Sequence, residues 1–243
     1  MKIKDKIVIV TGASSGIGQA TAKLLTKHGA KVALVARSKE KLEMFAKKLP
    51  NSLPIPTDMT KENEIVSMVK KVKDYYGGID ILINSAGQGY DAAVEKINID
   101  TFRQLFNLDI VGLLIAMQQV IPIMRKQGGG MIINISSGTS LMFLPGMSPY
   151  SSLKRALVGI SLTAREELKK ANIIVSVVYP YITLTNFEKN TIKDLDEAKQ
   201  ASEENSSAPY PPDSPKYVAE KILDGIKNEE AQIYAHDWMK NLQ

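Results

Sequence analysis

The sequence contains no cysteine, which rules out both disulfide cross-links and a thiolate nucleophile. It has only two histidines, His28 and His236, far apart in the chain. Without clustered ligands a structural zinc site is not expected, and no metal is assigned. No run reads as long and apolar enough to cross a membrane. The N-terminus, MKIKDKIVIV, enters a strand pattern almost at once and lacks the apolar run and cleavage site of a signal peptide. These absences predict a cytoplasmic chain with no membrane partner.

Of the 243 residues, 44% are hydrophobic and 23% are charged, the balance of a soluble globular protein long enough for one large α/β domain. The formal net charge is +5. Lysines crowd the stretches Lys39 to Lys48 and Lys61 to Lys73, but Glu40, Glu43, Glu62 and Glu64 sit among them at helical spacing. Solvated helix faces account for such a pattern better than a nucleic-acid surface does. The charge balance favours instead a mild attraction for an anionic small molecule.

What the sequence does contain is one organising stretch, IVIVTGASSGIG, from Ile7 to Gly18. Ile7 to Val10 read as a short buried strand. Thr11 and three glycines follow, and then a helical pattern with Ala20, Leu24 and Leu25 on its apolar face. Strand, glycine turn and helix in that order are the context of a dinucleotide site. Gly12 would permit the tight turn, Gly16 a close approach of backbone to pyrophosphate, and Gly18 close helix–strand packing. The N–H groups at the helix start would meet the phosphate charge.

Downstream, strands and helices alternate. Lys31–Ala36 reads as a second strand, Ser38–Lys48 as a helix, and Leu53–Pro56 as a third strand followed by Asp58. Thr60 is the expected cap of a helix that runs to Tyr76 and stops at Gly77–Gly78. Ile79–Ile83 is a fourth strand leading into Asn84, Ser85, Ala86 and Gly87, small residues that leave room for a flat ring or a ribose. Asp100 or Thr101 is expected to cap a helix from Thr101 to Lys126. Met131–Ile135 is a fifth strand, Tyr150 opens a helix through Leu168, and Ile173–Val178 is a sixth strand closed by Tyr179–Pro180. Pro215–Lys227 reads as a last helix and Ala231–Ala235 as a seventh strand. The alternation predicts a doubly wound parallel sheet with helices on both faces. Tyr181–Ser214 breaks it and is expected to be a substrate lid of one or two helices. Thr183 and Thr185 lie at its near joint, and Pro209, Pro211, Pro212 and Pro215 at its far joint.

Three features carry chemistry. The second strand ends in Ala36 and Arg37, where the adenosine ribose of a dinucleotide lies; a carboxylate there would suit NAD, whereas a guanidinium can hold a 2′-phosphate. NADP(H) is therefore expected, the competing reading being a surface arginine at a strand end. Ser137 follows the fifth strand and can donate a hydrogen bond to a carbonyl oxygen. Tyr150 and Lys154 stand four residues apart on one helix face, where an ammonium stabilises a phenolate and lowers its pKa. Surface packing is the competing reading of such a pair. Together the three could move a proton at oxygen while hydride moves at carbon.

In this order and spacing, TGASSGIG (Thr11–Gly18), Asp58, NSAG (Asn84–Gly87), ISS (Ile135–Ser137), YSSLK (Tyr150–Lys154) and Pro180 resemble the short-chain dehydrogenase/reductase family across nearly all of the chain. The resemblance implies a seven-stranded Rossmann-like sheet in one domain, residues 1–243. It implies cofactor contacts from Gly12, Ser14, Ser15, Gly16, Ile17, Gly18, Arg37, Asp58, Met59, Asn84, Ala86, Gly87, Tyr150, Lys154, Pro180, Thr183 and Thr185. Tyr150 would be the acid/base, Lys154 would hold the nicotinamide ribose and tune the tyrosine, and Ser137 would orient the substrate. A homodimer or homotetramer through the long helices is also implied.

Three positions depart from the family pattern. Ser85 replaces a second asparagine, and Tyr181 replaces the glycine after the proline, where a side chain could narrow the nicotinamide end. Asp109 stands where the family has a catalytic asparagine, three residues before Gly112. That asparagine works largely through its backbone carbonyl in the lysine's proton relay, so an aspartate could keep that role while adding negative charge behind Lys154. Nucleotide-sugar epimerases differ in length and glycine spacing, and enoyl reductases in tyrosine–lysine spacing, so carbonyl–alcohol oxidoreduction is the favoured reading. A catalytically silent dinucleotide-binding sensor or scaffold is the alternative. Leu141, Met142, Phe143, Leu144 and Met147 predict an apolar wall for part of a small carbonyl or alcohol substrate.

Overall fold

The computed structural model describes residues 1–194 and 210–242. Its strands are β1 (Ile7–Thr11), β2 (Lys31–Ala36), β3 (Ser52–Pro56), β4 (Ile81–Asn84), β5 (Tyr90–Ala92), β6 (Gly130–Ile135), β7 (Ile173–Tyr179), β8 (Ile192–Asp194) and β9 (Gln232–Tyr234). Its helices are α1 (Gly16–Lys27), α2 (Lys39–Ala46), α3 (Glu62–Tyr76), α4 (Ile99–Phe106), α5 (Gly112–Lys126), α6 (Ser148–Leu168) and α7 (Pro215–Asn228). Seven strands form one sheet in the order β3-β2-β1-β4-β6-β7-β9, and every pairing in it is parallel. The order reverses between β1 and β4, and open α/β sheets place ligands at the carboxyl edge beside such a switch point.

Strand periodicity sorts the core into two layers. Ile9, Ala33, Val35, Leu82, Ile132, Val175 and Val177 face α3, α5 and α6, which contribute Ile65, Met68, Val72, Leu113, Val120, Leu153 and Leu157. Their neighbours Val8, Val10, Val32, Leu34, Ile81, Ile83, Met131 and Ile133 face the other way, against Ala22 and Leu25 of α1, Leu42 of α2, and Val218, Ile222 and Ile226 of α7. Both sheet faces are covered, so the strands are apolar almost throughout.

Several local expectations are corrected. Thr60 does not cap α3: its N–H and its hydroxyl both donate to Asp58, at 2.9 and 2.8 Å. Asn98, not Asp100 or Thr101, caps α4, its side chain accepting from the N–H groups of both residues. The long helix that follows is not uniform. A π-helical turn at Asn107–Val111 joins α4 to α5, with the Gly112 N–H donating to the Asn107 carbonyl. Taken as one run, Ile99–Lys126 is long and apolar enough by composition to cross a membrane, contrary to the sequence reading. One of its faces packs into the core through Leu113, Ala116, Met117, Val120 and Met124. Tyr150 lies within α6 rather than at its start. The helix opens at Ser148 with Pro149 in its first turn, where the missing N–H costs no helical bond.

β5 and β8 were not expected; they pair in parallel as a separate two-stranded sheet. The expected lid lies only partly within the described residues: Tyr181–Asp194 and Tyr210–Ser214 are described, and 195–209, including Pro209, lies outside them.

Candidate functional site

The carboxyl ends of β1 and β4 meet as the glycine spacing requires. Gly12 has φ +68°, and a Cβ there would stand 2.7 Å from the Ser85 carbonyl oxygen and 2.9 Å from the Ala86 nitrogen. Thr11 ties the two turns together, its hydroxyl oxygen accepting from the N–H groups of Ser85 (3.0 Å) and Ala86 (3.1 Å). A Cβ on Gly18 would lie 2.5 Å from the Gly12 carbonyl oxygen, so the expected close packing of α1 on β1 is present. Ser15 is extended at the N-cap and makes no side-chain bond to the helix; the first turn, which includes Ile17, carries no acid. The positive end of α1 is thus left to an external anion. The Ser14 carbonyl accepts from Gln19 Nε2 at 3.3 Å. Gly16 has φ +55°, and the space beside it holds Thr185, whose Cγ2 would stand 3.1 Å from an added Cβ.

At the end of β2, Ala36 is buried and Arg37 exposed. Asp58 lies near Arg37. Burial alone would raise the Asp58 carboxyl, but hydrogen bonds from Thr60 and the charges of Arg37 and Lys61 hold it below the usual carboxylate range. Met59 is buried, and its carbonyl oxygen occupies the place a Cβ on Gly112 would take. Asn84 is buried at the end of β4, donating from Nδ2 to Asn134 Oδ1 at 2.9 Å. Asn134 passes the chain on to the Ser161 hydroxyl at 2.8 Å. The Asn84 Oδ1 has no partner among the described residues, and a buried acceptor left open in this way suits a bound donor. The glycine turn, the uncapped helix start and this open acceptor together fit a dinucleotide.

Ser137, Tyr150, Lys154 and Asp109 converge next to this cradle. Lys154 and Asp109 are both buried, and Lys154 Nζ lies 2.7 Å from Asp109 Oδ1. The same ammonium donates to the Ile135 carbonyl at 3.2 Å and lies 5.6 Å from the centre of the Tyr150 ring. Gly87 of the NSAG turn passes so close that a Cβ would stand 2.8 Å from Asp109 Oδ1 and 3.3 Å from Lys154 Nζ. The Gln88 N–H reaches Asp109 Oδ2 at 3.4 Å. Ser137 Oγ accepts from the N–H of Thr139 (3.2 Å) and from its hydroxyl (3.0 Å), and it also lies within hydrogen-bonding reach of Tyr150.

The electrostatic balance differs from the simple tyrosine–lysine expectation. Burial is the largest influence on Tyr150 and pushes its phenol up. Lys154 and the Ser137 hydrogen bond pull it down, while Asp109 and Asp91 push it up, and the net direction is upward. Burial works against the Lys154 charge, yet Asp109 and Tyr150 outweigh it and hold the ammonium above its ordinary pKa. Asp109 therefore keeps Lys154 charged and counters its pull on the tyrosine.

The segment after β7 reaches over this cluster. The Pro180 carbonyl accepts from the Gly138 N–H at 2.8 Å. The Thr183 hydroxyl donates to the Tyr181 carbonyl at 2.8 Å, and Thr185 Oγ1 accepts from the Phe187 N–H at 3.0 Å, so both expected hydroxyls have local partners. Tyr181 packs edge-on against Trp238 at 5.5 Å and His236 at 5.9 Å. Of the residues expected to form an apolar wall, Leu141 packs on the core and Phe143 is 88% exposed beneath the Arg155 guanidinium. Two residues near the site carry no individual role in the sequence reading. Phe187 packs its ring 5.5 Å from that of Tyr150, and Asp91 on β5 lies close enough to influence the phenol. Alternating strand–helix patterns carry no signal for either: Asp91 lies on β5, whose pairing with β8 is long-range, and Phe187 lies in the turn before Glu188–Asn190.

Comparison with known proteins agrees with this geometry. Residues 6–196 match the family model for short chain dehydrogenase. An uncharacterized oxidoreductase of Staphylococcus aureus (strain MW2) is 37% identical over 180 residues, covering 73% of this chain and 78% of the relative. Among solved structures, a short-chain dehydrogenase from Streptomyces avermitilis superposes with a TM-score of 0.88 at 27% identity, over 100% of this chain and 92% of that one. A short-chain dehydrogenase/reductase from Burkholderia phymatum, solved in complex with NAD, has a TM-score of 0.90 at 19% identity, over 99% and 92%. The chain belongs to the short-chain dehydrogenase/reductase family. It is an oxidoreductase of that family's carbonyl–alcohol type, with a single Rossmann sheet and the family's serine, tyrosine and lysine in place.

Proposed function

We propose that the protein is an NADP(H)-dependent reductase or dehydrogenase interconverting a carbonyl and a secondary alcohol on a small substrate with an apolar portion, with Tyr150 as its acid/base. The observation that carries this reading is the meeting of Ser137, Tyr150 and Lys154 in one cluster joined to the glycine turn through Gly87, Ala86 and Thr11. Gly12, Ser14, Ser15, Gly16, Ile17, Gly18 and Asn84 would hold a dinucleotide there, which would supply or accept hydride at the substrate carbon. The protein's own side chains manage the oxygen. Ser137 donates a hydrogen bond to it and fixes its position. Tyr150 gives its proton to that oxygen in reduction and takes it back in oxidation. Lys154, kept charged by Asp109, stabilises the phenolate between the two events. Phe187 and the residues after Pro180 help to exclude water from the reacting atoms.

Ala36 and Arg37 support NADP(H): no acid stands at the end of β2 to repel a 2′-phosphate, and an exposed guanidinium stands beside the position. The NAD complex of the Burkholderia structure is a property of that protein. One oxidoreductase domain over residues 1–243, assembled as a dimer or tetramer through α4–α5 and α6, completes the proposal. A catalytically silent dinucleotide sensor is the second reading, and the aspartate at position 109 is the observation that favours it. Absorbance assays of NADPH and NADH oxidation over a panel of aldehydes, ketones and apolar keto compounds separate the two. Turnover with NADPH preferred supports the enzyme; tight dinucleotide binding with no turnover on any member supports the sensor.

A further inference from the structure

We propose that His236 and Asp213 form a clasp that seats residues 182–187 over the glycine turn and thereby sets how firmly the dinucleotide is retained. The proposal rests on the dinucleotide reading above. Neither residue belongs to the cluster that handles the proton. His236 Nε2 lies 3.0 Å from each carboxylate oxygen of Asp213, and both side chains are largely shielded, at 27% and 10% exposure. Asp213 in turn grips the start of the segment through its backbone. Its N–H donates to the Ile182 carbonyl at 2.7 Å and its carbonyl accepts from the Leu184 N–H at 2.8 Å, across a Thr183–Asp213 bridge.

The support behind the clasp is largely aromatic. The His236 ring stacks on Tyr217 at 5.4 Å, lies parallel to Trp238 at 6.1 Å, and meets Tyr181 edge-on at 5.9 Å. The Tyr217 hydroxyl donates to the Ala235 carbonyl at 2.7 Å, and Ser214 caps α7 by accepting from the Tyr217 N–H at 3.1 Å. Met239, in the turn after His236, packs fully buried against Gly138, next to Ser137. The segment's other end is held separately. Gln88 Nε2 donates to the Asn190 carbonyl at 3.0 Å, β8 pairs with β5, and the Tyr90 hydroxyl donates to Asp194 at 2.7 Å.

Between these two anchors Thr185 rests on Gly16 and Phe187 rests on Tyr150. Gly16 is where a pyrophosphate would approach the backbone, so Thr185 must shift for a dinucleotide to enter or leave. The clasp restrains that movement from one end, and a hydrogen bond to a charged carboxylate is strong enough to govern it.

The test measures dinucleotide binding rather than turnover. NADPH and NADH are titrated by fluorescence, and their release is timed by stopped-flow displacement, in the wild type, His236→Ala, Asp213→Ala and His236→Gln. Losing the clasp in His236→Ala or Asp213→Ala should raise the release rate and Kd of the bound dinucleotide roughly tenfold. His236→Gln, whose amide N–H reaches the same carboxylate, should restore both to within about threefold. Thermal midpoints taken alongside separate a local clasp from general loosening; should His236→Ala fail to fold, Asp213→Ala, which removes the carboxylate and leaves the histidine in place, carries the test. Normal wild-type binding with release unchanged in the variants would overturn the clasp alone, as would a glutamine variant no better than alanine. Failure of the wild type to bind either dinucleotide would overturn the parent reading and this one with it.

Discussion

Replacing Asp109 by asparagine removes one negative charge from a buried cluster while keeping the side chain's shape. Asp109 Oδ1 is 2.7 Å from Lys154 Nζ, which is 5.6 Å from the Tyr150 ring centre, so the carboxylate lies within about 8 Å of that ring. At an effective dielectric constant of about 20, that separation corresponds to about 2 kcal/mol of repulsion between the carboxylate and a phenolate. The sign follows from Asp109 pushing the Tyr150 phenol up: without the charge the phenolate forms at lower pH. Alcohol oxidation needs the phenolate, so its rise in kcat/KM should move to lower pH. Carbonyl reduction needs the phenol, so its alkaline decline should move the same way. The rate at each enzyme's own optimum should change by less than about tenfold. The assay is NADP(H) absorbance against pH, from near neutral to about pH 10, in both directions, on any substrate that turns over. A profile that stays put, or moves to higher pH, would refute the reasoning. It would mean that Lys154 loses its proton together with its partner. A hundredfold gain at the optimum would instead show that the carboxylate impairs the proton relay.

Other outcomes follow from the same contacts. Arg37→Ala should weaken NADPH binding by about 1.5–3 kcal/mol while leaving NADH nearly unchanged, measured by titration; equal or tighter wild-type binding of NADH would remove the NADP(H) assignment. Gly112→Ala puts a methyl into the Met59 carbonyl and should lower stability by about 1–3 kcal/mol or more in a denaturant melt; a neutral result would mean that the π-helical turn relaxes freely. Hydrogen exchange at 182–187 should slow when NADPH is added. Strong protection already present without ligand, and unchanged by it, would mean that the segment is permanently packed.

The doubly wound sheet was legible because apolar strands and glycine or proline punctuation recur at regular spacing. The predicted strands lie within a residue or two of β1, β2, β3, β4, β6, β7 and β9. Gly12 and Gly18 were readable for a steric reason: backbone stands where their Cβ atoms would be. The cluster around Tyr150 was legible in its members but not in its balance. Asp109 touches Lys154 through its carboxylate, across a π-helical turn that helical periodicity does not announce. β5 and β8 are three residues each, too short for an alternation to register, and their pairing is long-range. The same holds for Tyr181. The sequence showed that a tyrosine replaced a glycine, but not that its ring would pack with Trp238 and His236 near the C-terminus.

The central claim is that Tyr150 moves the substrate proton in a dinucleotide-dependent reaction. Tyr150→Phe keeps the ring against Phe187 and Lys154 and removes only the hydroxyl. With a carbonyl substrate from the panel and saturating NADPH, its turnover should fall by a factor on the order of 10²–10⁴, while NADPH affinity measured by fluorescence stays within about threefold of wild type. Near-normal turnover in that variant would contradict the account, because some other group would then be carrying the proton.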